Sequence, residues 1–390
     1  MLGSVRLIDN LVDFGILILA VCYSIGIIGK KFKITPAVFS LSCFIVYHLG
    51  IVFFKTPSEL ISEISIWLRA FVGFGVIYEL IQLDYLKTLD GMGKSSAVLL
   101  SLDVLTGLIC ILFGSEDLKI FSLLGTDVYS IFSIVPLLAI VVVDAKLNGG
   151  TKRHRAFLLL FACTLQKIIT GAATAEVALL VVMAFLFMMK LRPRIVRSIL
   201  NPLNGFVLLA LCTIVFAVFR ATEMFAPLFE MLGKDPSMSS RTMIWEAAVP
   251  EIFNNIIQGH GVLEPIEFVD LMGFNPWDLY FGHCHNMLLE ILFRDGIVGL
   301  VLISVYLISV FYRSGTKCLR PEEISRLCAS QTIVLAFLFA SCILWITDGY
   351  TSASSIFMMF GIYAGLTRLL DSFDDLDCSG GATFTEDENV

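Results

Sequence analysis

Charged residues are scarce in this chain. Asp, Glu, Lys and Arg make up 16% of its 390 residues, hydrophobic residues make up 57%, and the mean hydropathy is +0.87. Soluble domains carry about 25% charged residues, so this composition excludes an ordinary soluble protein. The sequence also lacks a glycine-rich loop of the kind that binds nucleotide phosphates, which argues against a nucleotide substrate. Only five histidines are present.

Long apolar runs take the place of charge. They are continuously apolar rather than alternating, and most approach the 20 residues or so that an α-helix needs to cross a membrane. The sequence therefore predicts an all-α, polytopic membrane helix bundle of 11 to 12 transmembrane helices with one long external loop. The predicted spans are residues 11–28, 36–54, 65–83, 96–114, 128–144, 156–170, 172–189, 205–221, 296–312, 328–347 and 352–369. A membrane-dipping helix at 285–293 would make twelve.

Basic residues predict the orientation of this bundle. They concentrate in alternate loops, near residues 30–33, 87–94, 146–155, 190–197 and 313–326, and such loops face the cytoplasm. We therefore expect an N-terminal transmembrane bundle (1–222), an external, periplasmic loop (223–295), C-terminal transmembrane helices (296–370) and a disordered, acidic cytoplasmic tail (371–390). The outer side is the periplasm if the cell is Gram-negative.

Three cations fall near the outer ends of separate spans, namely Arg69, Lys167 and Arg220. A charge within a span is costly and is usually paired or functional, although each side chain alone could snorkel to the interface. Three cations at one depth favour a site for a polyanion. Arg241 in the long loop shares a helix face with Trp245, and its planar guanidinium suits a phosphate. The alternative for this segment is an amphipathic helix lying on the bilayer.

The long loop ends in the stretch that contains His283, Cys284, His285 and Asn286. A zinc site is one interpretation, but adjacent His-Cys-His residues have poor spacing for three ligands. Polar residues at a helix start, with Asn286 among them, are a second. A general base is the third, because an imidazole titrates near working pH. The position at the outer surface, level with the three cations, favours the base, and no metal is expected.

These residues resemble the signature of the O-antigen ligase and Wzy-type polysaccharide polymerase superfamily. The matching positions are His285-Asn286, Leu289, Gly296, Ile297 and Gly299, preceded by Arg241-x-x-x-Trp245 and by Gly259-x-Gly261. His285 with Gly296 fits the His-x10-Gly pattern of O-antigen ligases, and Lys167 with Gly171 fits a companion basic-x3-Gly pattern. One departure is that Ala172-Ala173 stands where many members carry Ser-Arg, and Lys167 would supply that cation.

The resemblance implies an inverting, metal-independent glycosyltransferase with no cofactor, located in the bacterial inner membrane. The donor would be a glycan on undecaprenyl diphosphate, the acceptor lipid A–core or another glycan, with membrane lipids around the bundle and no nucleic acid as partner. The implied catalytic residues are His285 as base and His283 in support. Diphosphate binding is implied for Arg69, Lys167, Arg220 and Arg241, and supporting roles for Asn286, Trp245 and Gly296.

Two functions within the superfamily stay open, and one lies outside it. The His-x10-Gly and basic-x3-Gly patterns favour an O-antigen ligase, whereas Arg241-Thr242-x-Ile244-Trp245 favours a repeat-unit polymerase. We expect the ligase. A lipid-linked sugar flippase would also have many spans and buried cations, but it predicts an internal repeat with matching broken helices. The sequence contains no evident repeat of this kind.

Overall fold

The computed structural model describes residues 35–113, 121–126, 130–200, 202–219, 241–273, 282–311, 322–347 and 354–379. The predicted span 11–28, Arg220 and residues 223–240 and 380–390 lie outside these ranges. The helices of the described part are α1 (Pro36–Lys55), α2 (Leu60–Phe113), α3 (Ile131–Asn148), α4 (Thr151–Thr170), α5 (Ala173–Leu191), α6 (Pro193–Ile199), α7 (Pro202–Thr213), α8 (Arg241–Asn254), α9 (Pro265–Met272), α10 (Met287–Phe311), α11 (Glu322–Thr347) and α12 (Ser354–Ser379). A 3-10 turn (Pro57–Glu59) precedes α2, and a π-helical turn (Ile214–Val218) follows α7. Strands β1 (Phe121–Ser122) and β2 (Gly125–Thr126) pair antiparallel, with Phe121 opposite Thr126.

The predicted polytopic helical membrane architecture is confirmed. Every predicted apolar run from residue 36 onwards coincides with a helix or with one half of a broken helix, but several helices extend beyond the predicted bounds. The last helix, α12, continues to Ser379, inside the segment 371–390 that the sequence predicts as a disordered tail. Six helical stretches in the described residues are long and apolar enough to cross a membrane. Large apolar side chains such as Phe54 and Phe157 are exposed on the bundle surface, which suits contact with hydrocarbon.

α2 is the longest helix and contains a sharp break. Its 54 residues would extend about 80 Å as one straight rod, far more than the hydrocarbon core. The helical dihedrals fail at Asp84 (φ −158°, ψ 89°), and the Asp84 carboxylate accepts a 3.0 Å hydrogen bond from the Lys87 N–H. Asp84 is thus placed as an N-cap. Residues 85–95, which the sequence left between two spans, are helical for this reason.

Hydrogen bonds show how the helix ends are arranged. Near the start of α1 the Ser40 hydroxyl lies 3.2 Å from that of Ser309, near the end of α10. Further along α1 the Tyr47 hydroxyl donates to the Asp295 carbonyl at 3.0 Å, near the start of α10. The two helices are therefore antiparallel. We call the end of the bundle that contains Asp295 and the two histidines the histidine end.

The described parts of the long loop, residues 241–273 and 282–295, pack at the histidine end around a small core of their own. Trp245 of α8, Phe268 of α9 and Phe293 of α10 are buried in it, separate from the large core between the spans. Phe268 and Phe293 meet edge-on with ring centroids 5.1 Å apart. This packing fixes α8 and α9 against the start of α10, where the candidate site lies.

Candidate functional site

His283 and His285 lie side by side in residues 282–286, the short segment before α10 that we call the histidine segment. Their ring centroids are 3.9 Å apart and the rings are inclined at 45°. His285 is buried and has φ = 49°, the one positive φ at a non-glycine residue in the described part of the chain. Such a left-handed residue costs about 1–3 kcal/mol and persists where its surroundings fix it, often at a functional site.

Two hydrogen bonds hold the peptide groups next to His285. The Cys284 N–H donates to Glu290 Oε2 at 2.6 Å, and Trp245 Nε1–H donates to the Cys284 carbonyl at 2.9 Å. The second bond attaches α8 to the histidine segment. Arg241 lies one turn before Trp245 on the same face of α8, as the sequence predicts. The segment therefore has a fixed backbone with an arginine-bearing helix beside it.

Asn286 joins three helices at this point. Its Oδ1 accepts 3.1 Å hydrogen bonds from the Leu288 and Leu289 N–H groups, which makes it the N-cap of α10. Its Nδ2 donates to Thr213 Oγ1 at 3.0 Å and to the Ile346 carbonyl at 3.1 Å. The amide thereby ties the histidine segment to the ends of α7 and α11.

Gly296 marks a break in α10 where another segment crosses it. Its dihedrals are φ 63° and ψ −165°, a region open essentially to glycine alone. The Ile297 N–H donates to the Ile256 carbonyl at 2.7 Å, and the Gly261 N–H donates to the Arg294 carbonyl at 3.0 Å. A Cβ on Gly296 would overlap the Ile257 carbonyl group. The Gly259-x-Gly261 and Gly296 positions of the signature are thus explained by one close backbone crossing.

A chain of buried charged groups lies beside this crossing. His48 Nδ1 is 2.6 Å from Asp295 Oδ1, and His48 Nε2 is 3.1 Å from Glu63 Oε2. Arg294 lies 3.8 Å from Glu63 Oε1 and forms an ion pair with Glu290. We call Asp295, His48, Glu63, Arg294 and Glu290 the buried ion chain. The sequence analysis missed it, although a histidine inside an apolar run was a usable signal.

The predicted phosphate-binding cations are placed differently. Lys167, near the end of α4, is fully buried and donates to Ser130 Oγ at 2.6 Å. Arg69, in the first half of α2, is half-buried and donates to Ser65 Oγ at 3.3 Å, and Arg220 lies outside the described residues. The described hydrogen bonds therefore connect Trp245 and Asn286 directly to the histidine segment, while that of Arg69 leads to a serine one turn earlier in α2 and that of Lys167 to the serine just before α3.

Cys284 is enclosed within the site, between His283 and His285. The side chain is fully buried, and burial, followed by the negative charge of Glu290, raises the pKa of the thiol well above its ordinary value. Within the residues that the structure describes, no three His, Cys, Asp or Glu side chains are grouped to hold an ion.

Part of the chain matches a known protein family. Residues 156–304 match the sequence profile of the family described as O-Antigen ligase. No curated protein matches the chain. The matched region runs from α4 into α10 and includes Lys167, Trp245, both site histidines and Gly296. His48 and Glu63 precede it.

Proposed function

We propose that this chain, which matches the O-antigen ligase family over residues 156–304, transfers a glycan from undecaprenyl diphosphate to an acceptor hydroxyl on lipid A–core. The observation that carries the proposal is the fixed histidine segment at one end of a membrane bundle. Of the two histidines in this segment, His285 directly precedes Asn286, the N-cap of α10. A lipid-anchored donor would bring its diphosphate to this depth.

His285 acts as the general base in this proposal. As the acceptor oxygen forms its bond to the anomeric carbon, the proton of the hydroxyl moves to an imidazole nitrogen of His285. The bond from the anomeric carbon to the phosphate oxygen breaks, and its electron pair leaves with the diphosphate. Attack from the face opposite the leaving group inverts the anomeric centre. His283, with its ring 3.9 Å away, orients the base.

Arg241 is the first candidate for stabilising the departing diphosphate. Its helix is hydrogen bonded to the histidine segment through Trp245, and an arginine can bind two phosphate oxygens at once. Cations fixed in advance where negative charge develops are among the strongest catalytic devices. Lys167, Arg69 and Arg220 remain candidates for the second phosphate, with Lys167 the best supported by the basic-x3-Gly pattern.

A repeat-unit polymerase is the second candidate function, favoured by the Arg241-Thr242-x-Ile244-Trp245 pattern. Both reactions use the same donor and base and differ in the acceptor. The experiment that separates them is analysis of lipopolysaccharide from a strain without this chain. Bare core, with long glycan still on undecaprenyl diphosphate, is the expected result for a ligase. Core bearing one repeat unit would identify a polymerase, and unchanged lipopolysaccharide would refute both.

A further inference from the structure

His48 lies between two carboxylates inside the bundle. Each ring nitrogen is within hydrogen-bonding distance of a carboxylate oxygen, 2.6 Å for Asp295 and 3.1 Å for Glu63. A carboxylate only accepts, so with both acids ionised each nitrogen donates and the ring is an imidazolium. All three groups are buried. Buried ion pairs are costly to form and contribute little net stability, which suggests that this arrangement serves a purpose other than stability.

The buried ion chain ends at the histidine segment. From Glu63 it passes to Arg294, whose guanidinium pairs with Glu290 and also lies 3.5 Å from the Gly282 carbonyl oxygen. Glu290 Oε2 accepts the 2.6 Å hydrogen bond from the Cys284 N–H. Arg294 and Glu290 together therefore hold both the beginning and the middle of the five-residue segment that presents His285.

We propose that Glu290 is the positioning residue for His285 and that His48, through the buried ion chain, fixes Glu290 for this task. The inference rests on the proposed role of His285 as base. Because Cys284 is adjacent to His285, its hydrogen bond to Glu290 fixes one side of the backbone that carries the left-handed φ of 49°. His48 and Glu63 come from α1 and α2, so the N-terminal helices take part in positioning a base that belongs to the family region.

The test compares Glu290→Ala with Glu290→Gln in the purified full-length protein. The probe is extracted undecaprenyl-diphosphate-linked glycan with lipid A–core as acceptor. Removing the hydrogen bond in Glu290→Ala is expected to lower kcat by about 10²-fold with an unchanged KM for the donor, since small misplacement of a catalytic group costs about that much. Glu290→Gln keeps a carbonyl oxygen to accept the Cys284 N–H but loses the ion pair with Arg294, and it is expected to recover part of the lost kcat.

Asp144→Asn provides the matched control. Asp144 is a buried carboxylate in another ion cluster, 2.9 Å from Lys152 Nζ, away from the histidine segment. We expect its loss to lower thermal stability while kcat per folded molecule stays unchanged. A role of Glu290 in stability alone would give the same pattern, and so kcat rather than melting temperature decides the matter.

His48→Gln keeps the proposal testable if Glu290→Ala does not fold. It is expected to lower kcat at unchanged KM, because an uncharged amide with one nitrogen replaces the ring whose two nitrogens bridge Glu63 and Asp295. A normal kcat in His48→Gln or in folded Glu290→Ala would overturn the positioning role, as would a Glu290→Gln enzyme no better than Glu290→Ala. His285→Ala, assayed in parallel, separates failure of the positioning proposal from failure of the proposed function. If His285→Ala also retains transfer, the proposed function itself is wrong.

Discussion

Gly296→Ala is the substitution whose effect the structure defines most sharply. Gly296 has φ 63° and ψ −165°, and the Ile256–Gly261 segment crosses α10 at this point. An added Cβ would overlap the Ile257 carbonyl group and lie 2.7 Å from the Gln258 nitrogen. These neighbours are backbone atoms, so a rotamer change cannot relieve the overlap.

Two physical terms set the size of the effect. Placing alanine in a backbone region that suits glycine alone costs about 1–3 kcal/mol, and overpacking a close contact costs about 1–3 kcal/mol. Their sum is about 2–6 kcal/mol of folding free energy. Separation of the two segments would also weaken the Ile297–Ile256 hydrogen bond. The histidine segment is joined to this crossing by the first part of α10. Glycan transfer should therefore fall together with stability.

Thermal unfolding in detergent, followed by a fluorescent or scattering readout, measures this loss. Gly50→Ala is the matched control, since Gly50 lies inside α1, has nothing within 4 Å of an added Cβ, and should gain about 0.5–1 kcal/mol from the better helix former. We expect a clear fall in melting temperature for Gly296→Ala and none for Gly50→Ala. Equal melting temperatures for Gly296→Ala and wild type would refute the crossing.

Three further predictions concern the histidine segment. Asn286→Ala should lower the free energy of unfolding by about 1 kcal/mol for the lost N-cap and by about 1–3 kcal/mol for the unsatisfied Ile346 carbonyl. The loss in Asn286→Asp should be smaller than in Asn286→Ala, because the aspartate keeps the cap acceptor. Equal melting temperatures for the two variants would contradict this. His285→Gly should be more stable than His285→Ala by about 1 kcal/mol in thermal unfolding, because glycine adopts φ 49° without strain; the reverse order would count against the left-handed backbone. Cys284 should resist alkylation across pH 7–9 until the protein unfolds, since its raised pKa keeps it a thiol, and residue-by-residue mass spectrometry would reveal early labelling.

Much of the fold followed from hydropathy alone. The runs from residue 36 onwards mark the helices because a segment that crosses the hydrocarbon core must be apolar along its length and must satisfy its backbone hydrogen bonds internally. A run of this kind can be recognised without knowing which helix packs against it. The break at Asp84 was harder, since a capped kink and a loop carry the same polar residues. A hydrogen bond from the Lys87 N–H to Asp84 decides it, and no composition count contains that bond.

Residues of the candidate site could be predicted only where a short sequence pattern marked them. Trp245 and Asn286 were selected from short-range spacing, and the structure places both in hydrogen bonds with the histidine segment. His48 and Glu63 were missed because their partners, Asp295 and Arg294, are more than two hundred residues away in sequence. Long-range ion pairing between spans depends on packing, and packing is not visible in the sequence of one span.

Transfer by purified His285→Gly tests the central claim most directly. Glycine removes the imidazole while accepting the left-handed backbone, so the variant should remain folded. His154→Ala is the control, because His154 is exposed at the start of α4. With undecaprenyl-diphosphate-linked glycan as donor and lipid A–core as acceptor, we expect His285→Gly to lose about 10²- to 10⁴-fold in kcat and His154→Ala to match wild type. Transfer by folded His285→Gly at the wild-type rate would contradict the account.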